Sequence, residues 1–209
     1  IGFHTVRALL EAGHTVRLGV RNVAKMKALY DAQGLPVDDF AVGEIIDNDA
    51  PIAITYPSGV LGPQDPAMSE GNQGLAIFFN QTFVLTSLGM QVIDVRDLAK
   101  VHVALLEQKK TGSYLVSGHF RSWDELGQIL DRITDRKLRK LAIPGWLLRA
   151  LAGVVETLSG VLRFNTPLTP EAAMYGTQWV YVDDRKVRGE LNISYRPIEQ
   201  TLADTIGWL

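Results

Sequence analysis

The sequence predicts an α/β chain built on a doubly wound parallel sheet, and two observations predict it. Stretches with helical apolar spacing alternate with short runs of apolar and β-branched residues, the pattern of strands that return parallel through helical crossovers. Punctuating residues fall at the joints between these stretches, with Gly13 after one helix, Asp94 before another, and Pro170 and Pro197 opening two more. Glycine and proline at such places stop and start helices, because one tolerates a left-handed backbone and the other lacks a helical donor.

From the N-terminus, residues 3–12 read as an amphipathic helix, followed by a strand over 15–20 and the polar turn Arg21-Asn22. A short helix is expected around 23–32 and a strand over 38–43. Pro51-Ile52-Ala53-Ile54-Thr55-Tyr56 reads as the next strand, ended by Pro57. Val92-Ile93 is a short strand leading into a helix over 95–108, and Gly112 and Gly118 bound a strand over 113–117. Ser122-Trp123-Asp124-Glu125 has the form of a capping box, in which serine accepts an orphan helix N–H and glutamate reaches back. Its helix should run to about Thr134. A strand over 138–143 and a long apolar helix over 145–162 follow. Pro170 and Pro197 each take the first position of a helix, the last one ending at Gly207-Trp208-Leu209. No internal repeat and no low-complexity segment interrupts this order.

Composition narrows the functional class. The 209 residues are 46% hydrophobic, enough for one core or for a domain plus a small lobe. A net charge of −2 argues against a nucleic-acid surface. With no cysteine there is no disulfide, thiolate nucleophile or cysteine metal site, which fits a cytoplasmic protein. These residues contain no charged-then-apolar leader.

Topology predicts that segments are missing, one before Ile1 and one near 48–51. The chain opens on a helix, where a βαβ unit would first supply a strand and a glycine-rich turn. Between the strands at 38–43 and 52–56 lie only the eight residues Glu44 to Pro51. A βαβ unit takes ~30 residues, so eight cannot make a right-handed parallel crossover. Either a segment is absent near Asp49-Ala50-Pro51, the favoured reading, or the two strands pair antiparallel.

The ordered motifs resemble the extended and atypical short-chain dehydrogenase/reductases, the NAD(P)-dependent epimerase/dehydratase group that includes dihydroflavonol reductase-like proteins. Ile1-Gly2 resembles the end of that family's Gly-x-x-Gly-x-x-Gly turn, with Gly2 as the third glycine, where helix and strand pack closely. Gly43-Glu44-Ile45-Ile46-Asp47 resembles the Gly-Asp-Leu/Ile-x-Asp after the third strand. Tyr56-Pro57-Ser58-Gly59-Val60-Leu61-Gly62-Pro63 is similar to the Pro-x-x-Val-x-Gly-Pro segment beside the nicotinamide. Val92-Ile93-Asp94-Val95-Arg96-Asp97-Leu98-Ala99 is similar to the Val-x-Val-x-Asp-x-Ala joint, and Asp183-Asp184-Arg185-Lys186-Val187 and Trp208-Leu209 are further likenesses. The resemblance implies a Rossmann-like doubly wound parallel sheet with a small, mostly helical C-terminal substrate lobe. Residues 1–118 would form the NAD(P)-binding domain, incomplete here, and 119–209 the lobe with interleaved sheet elements.

The same resemblance implies catalysis by a Tyr-x-x-x-Lys pair with a Ser or Thr, the phenol serving as general acid/base beside an ammonium that lowers its pKa. Tyrosines occur at 30, 56, 114, 175, 181 and 195, and none has lysine four residues on. Tyr181 has Arg185 there, better read as a strand tyrosine before a helix. No catalytic residue is therefore named. In family order the pair would fall at the suspected gap before Pro51.

Cofactor residues are easier to place. Dinucleotide folds usually end the second strand with an acid that binds the ribose 2′-OH of NAD, whereas arginine accommodates a 2′-phosphate. Here that position reads Gly19-Val20-Arg21-Asn22. Arg21 can grip a phosphate bidentately and Lys25 adds charge one turn on, so NADP is favoured over NAD, with a solvated turn as the plainer reading of Arg21. By resemblance Glu44 and Ile45 lie near the adenine, although family members usually carry Asp where Glu44 stands. Pro57, Ser58 and Val60 would line the nicotinamide side, Ser58 reading better as part of a turn. The expected cofactor residues are thus Ile1, Gly2, Arg21, Lys25, Glu44, Ile45, Pro57 and Val60.

Other polar residues read plainly. His4, His14, His102 and His119 lack ligand spacing, so no metal site is expected. Asp94 and Asp97 read as helix-start residues rather than a catalytic pair, and the basic run Arg132–Lys140 as a solvated turn. Helix 145–162 is too charged and slightly short for a membrane span. It reads first as a helix capping an apolar substrate pocket and second as an interfacial helix. For a diphosphate the lobe offers only Arg149, Arg163 and Arg196 as obvious cations. The function expected is NAD(P)-dependent carbonyl reduction or secondary alcohol oxidation on an apolar small molecule. A nucleotide-sugar epimerase or dehydratase and a non-catalytic dinucleotide-binding sensor are the alternatives, and a homodimer is possible.

Overall fold

The computed structural model describes residues 2–16, 18–19, 23–35, 37, 40–41, 52–66, 68–162, 169–178 and 181–209. Along the chain run α1 (Gly2–Glu11), β1 (Leu18–Gly19), α2 (Val23–Ala32), β2 (Phe40–Ala41), β3 (Ala53–Pro57), β4 (Gly59–Leu61) and α3 (Glu70–Asn80). Next come β5 (Thr82–Leu85), β6 (Gly89–Asp94), α4 (Val95–Glu107), β7 (Gly112–Val116), β8 (His119–Ser122) and α5 (Trp123–Thr134). The chain ends through β9 (Arg139–Ala142), α6 (Gly145–Leu162), α7 (Pro170–Thr177), α8 (Arg185–Leu191) and α9 (Ile198–Trp208). The α/β class and the parallel pairing follow expectation, since β1–β2, β4–β6 and β5–β9 are all parallel. β6–β8 is antiparallel.

Two compact units interleave along the chain: residues 1–56, 95–116 and 184–194 form one, and 57–94, 117–183 and 195–209 the other. In the first unit, α1 buries Val6 in a small core with Tyr30 of α2 and Val37. It ends where Gly13, at φ 83°, lets the His14 amide donate back to the Leu9 carbonyl. α1 packs on α4, which also meets α8, and α8 in turn packs on β7. Within this unit β2 is hydrogen-bonded to β1 while β3 pairs with β7. The antiparallel pairing of β2 with β3, one of the two expectations for that joint, is not found among the described residues. The suspected gap near 48–51 lies outside the described residues.

The second unit holds an extended core. Leu61, Leu75, Phe83, Val92, Trp123, Leu126, Ile129, Leu130, Ile198 and Leu202 pack together, with Phe83 and Trp123 ring centroids 6.2 Å apart. α5 begins as its sequence dictates: the Glu125 amide donates to Ser122 Oγ, and the Glu125 carboxylate accepts from the Ser122 amide at 2.8 Å. Because Glu125 takes that backbone hydrogen bond, its pKa lies below the usual carboxylate value.

Several expectations are corrected in detail. The strand read as Val92-Ile93 runs from Gly89 to Asp94, and α3, β4, β5 and β8 stand where the sequence pattern predicts no element. Tyr181, read as a strand residue, lies in an irregular stretch. The Gln91 side chain stands in for a strand partner there, donating to the Val182 carbonyl at 2.9 Å and accepting from its amide at 2.6 Å. Pro197 precedes α9 as its N-cap instead of taking the first helical position.

Candidate functional site

In doubly wound sheets ligands bind outside the carboxyl ends of the strands. In the second unit that edge is formed by β4 and β6, paired Gly59 to Val92, Val60 to Ile93 and Leu61 to Asp94. Leu61 and Asp94 therefore stand together at the strand ends, with Gly62 as the exit of β4. β3 and β4 are separated by a bend at Ser58, whose hydroxyl donates to the Ser117 carbonyl at 2.5 Å. This agrees with the reading of Ser58 as a turn residue, since its hydroxyl is spent on the backbone. Pro57 is exposed on one side of the bend and Val60 half-buried on the other, while Leu61 turns into the core.

The loop beyond β4 is held by polar contacts. Asn72 of α3 is buried and donates from Nδ2 to the Gly62 carbonyl at 2.9 Å and to Asp65 Oδ2 at 3.1 Å. Asp65 Oδ2 also accepts from the Ser69 amide at 2.6 Å. Desolvation pulls the Asp65 pKa upward, but hydrogen bonds from Ser69 and Asn72 outweigh it and hold the carboxyl below its usual value. Nothing in the sequence pattern singled out Asn72. Its only local sign was its place one helical turn into a stretch that starts with Ser69-Glu70-Gly71.

Asp94 at the end of β6 is buried, and Arg196 Nη1 approaches it to 3.6 Å. Arg196, expected as a cation for a diphosphate, thus faces a carboxylate of its own chain. Its carbonyl meets His119 Nε2 at 2.9 Å. A carbonyl only accepts, so Nε2 carries the proton. Arg149, the second such cation, donates to Thr177 Oγ1 at 2.8 Å. Arg163 lies outside the described residues.

Of the expected cofactor residues, Ile1, Arg21, Glu44 and Ile45 lie outside the described residues. Lys25 belongs to α2, and its side chain is likewise outside them. Gly2 opens α1, exposed, and a Cβ on it would meet nothing within 4 Å. The close helix–strand packing expected at Gly2 is not found among the described residues. Pro57, the last residue of β3, and Val60, within β4, flank the Ser58 bend.

In the first unit His102 of α4 bridges two hydroxyls, Thr5 Oγ1 to Nδ1 at 2.8 Å and Thr55 Oγ1 to Nε2 at 2.9 Å. Burial lowers its pKa. Among the described residues no group of three histidines, aspartates or glutamates gathers to hold a metal, and no helix is long and apolar enough to cross a membrane. α6 nevertheless exposes Trp146 and Val154.

No family model matches the chain. A curated protein of Synechocystis sp., carrying the provisional name dihydroflavonol 4-reductase, is 28% identical over 163 residues, covering 75% of this chain and 48% of its own length. The chain thus spans about half of that relative. Among solved structures, a nucleoside-diphosphate-sugar epimerase from Pseudomonas aeruginosa superposes with a TM-score of 0.69 at 16% identity, covering 99% of this chain and 93% of that one. The protein gox2253 gives a TM-score of 0.59 at 21% identity, over 88% of this chain and 52% of its own. Both likenesses show the fold. The shared fold and the named relative accord with the family that the ordered motifs imply, the extended short-chain dehydrogenase/reductases.

Proposed function

We propose that the protein is an NADP-dependent oxidoreductase that reduces a ketone, or oxidises a secondary alcohol, on an apolar small molecule. The observation that carries this reading is the segment Pro57–Pro63, which ends β3, forms β4 and leaves at Gly62-Pro63 from the carboxyl edge of the parallel β4–β6 pair, where a doubly wound sheet takes its ligand. Pro57 and Val60 would form one wall for the nicotinamide, whose bound form supplies the hydride. Ser58, bonded to Ser117, would hold the bend between them. Arg21 and Lys25 would take the 2′-phosphate, Glu44 and Ile45 the adenine, and Ile1 and Gly2 the pyrophosphate turn. Assignment of 1–118 to cofactor and 119–209 to substrate belongs to the same proposal, as do a cytoplasmic location and a homodimer. The relative's name makes a dihydroflavonol ketone the first substrate to try. The exposed apolar side chains of α6 favour such a ligand over a sugar nucleotide.

The test uses the full-length protein and begins with fluorescence titration of NADPH and NADH. Binding of NADPH is expected to be the tighter. Arg21→Glu should weaken NADPH by about 10–100-fold while sparing NADH, because a charge-assisted bond to phosphate contributes about 1.5–3 kcal/mol. Consumption of NADPH with hydrophobic ketones then tests catalysis. Binding neither cofactor would end the reading. Binding without turnover of any ketone or sugar nucleotide would turn it toward a dinucleotide sensor, and turnover of sugar nucleotides alone toward an epimerase.

A further inference from the structure

The first turn of α3 meets β4 at unusually close range. A Cβ built on Gly71 would lie 2.8 Å from the Val60 carbonyl oxygen and 3.2 Å from Leu61 Cδ2. The first of these neighbours is backbone and cannot rotate away. The next residue, Asn72, is buried and donates to the Gly62 carbonyl at 2.9 Å. Two consecutive residues of one helix thus hold β4 and its exit, Gly71 by bare contact with Val60 and Asn72 by a hydrogen bond to Gly62. The amide orientation of Asn72 is fixed by its donor edge, since both of its partners, Gly62 O and Asp65 Oδ2, only accept. Its Oδ1 has no hydrogen-bond partner among the described residues. Gly74, one turn further along the same helix, faces open space. Glycine is a poor helix former, and at position 71 the helix carries it where a methyl group would push the strand aside.

Resting on the reading of Val60 as nicotinamide wall, we infer that Gly71 and Asn72 are positioning residues. They set how far Val60 stands into the cofactor cleft and hold the Gly62 exit in place. Neither touches the cofactor; both act through β4. A wall displaced by a fraction of an ångström weakens the nicotinamide half of the dinucleotide and leaves the adenosine half alone.

The experiment compares Gly71→Ala, Asn72→Ala and Gly74→Ala in the full-length protein. Three quantities are read: hydrogen exchange of amides 59–63, the Kd of NADPH, and the Kd of a 2′-phosphoadenosine fragment without nicotinamide. Gly71→Ala is expected to speed exchange at β4 and to weaken NADPH about 10-fold, since the added Cβ forces the Val60 carbonyl, and the wall with it, to shift. Asn72→Ala, which adds no bulk, should loosen the same amides and weaken NADPH in the same sense, and this guards against a clash that merely prevents folding. The adenosine fragment should bind all variants alike, and Gly74→Ala should match the parent throughout. Unchanged NADPH affinity in Gly71→Ala and Asn72→Ala overturns the inference and leaves the proposed function standing. Equal loss for NADPH and the fragment also overturns it, as the mark of general destabilisation. A parent protein that binds no NADPH removes both this inference and the reading beneath it.

Discussion

Replacing Gly118 with alanine tests the geometry of the β6–β8 joint directly. Gly118 has φ 71°, a left-handed backbone that costs an L-residue about 1–2 kcal/mol. A Cβ there would also lie 2.1 Å from the Val92 carbonyl oxygen and 2.8 Å from Ile93 Cα. Both are backbone atoms of the paired strand, so relief requires β6 and β8 to part by about an ångström. Overpacking of that kind costs about 1–3 kcal/mol. The two penalties together predict about 2–5 kcal/mol, or a Tm lowered by ~10 °C for a chain of this size. Two further variants separate them. Gly112→Ala, at φ 97° with nothing within 4 Å of its Cβ, carries only the conformational part. Gly89→Ala, with no positive φ but a Cβ 2.0 Å from the Arg121 carbonyl oxygen, carries only the steric part. Urea unfolding with matched m-values gives the differences. The reasoning fails if Gly118→Ala unfolds within about 0.5 kcal/mol of the parent, the range of an ordinary surface change.

The remaining predictions concern local contacts and pH. Ser122→Ala removes the cap of α5 and should cost about 1 kcal/mol in urea unfolding. Asp131 accepts from the Leu138 amide at 2.8 Å and from Lys140 Nζ at 2.6 Å, so Asp131→Ala should cost about 1–2 kcal/mol. Desolvation pulls the Asp131 pKa up, but the bonds from Lys140 and Leu138 hold it below the usual value. Its stabilisation is therefore present above about pH 3.9 and lost as the pH falls through the depressed folded value. Acid titration of Asp131→Asn should show a shallower loss in that range. Burial lowers the His102 pKa, so the folded state holds fewer protons than the unfolded one just below the free value of about 6.5. Stability should be full above that pH and decline as the pH falls toward the folded value. A slope that persists unchanged in His102→Gln would show that another group titrates.

How much of the fold was legible follows from where each signal resides. α2, α5 and α6 begin and end where spacing, capping and proline or glycine put them, because these are interactions among residues within a turn or two. α3 was missed: Glu70-Gly71-Asn72-Gln73-Gly74 carries two glycines and no side-chain cap bond from Ser69. What makes it a helix is burial of Leu75 beside Phe83 in the core, a tertiary gain that overrides weak propensity. β8 was missed likewise, since His119-Phe120-Arg121-Ser122 has no alternation and exists through its ladder with β6.

The candidate site divides in the same way. Sequence alone determined the α/β class, the bend at Pro57-Ser58 and the absence of Tyr-x-x-x-Lys from these 209 residues, because composition, local propensity and residue identity need no partner. Tertiary structure decided what the polar and small residues do. Arg196 faces Asp94, 102 positions away in the chain, the Ser58 hydroxyl is spent on Ser117, and Gly71 is required by a carbonyl on a neighbouring strand. Such close approaches between distant segments leave no periodic trace along the chain, because one residue suffices to satisfy each and the strand it meets is positioned by the rest of the core.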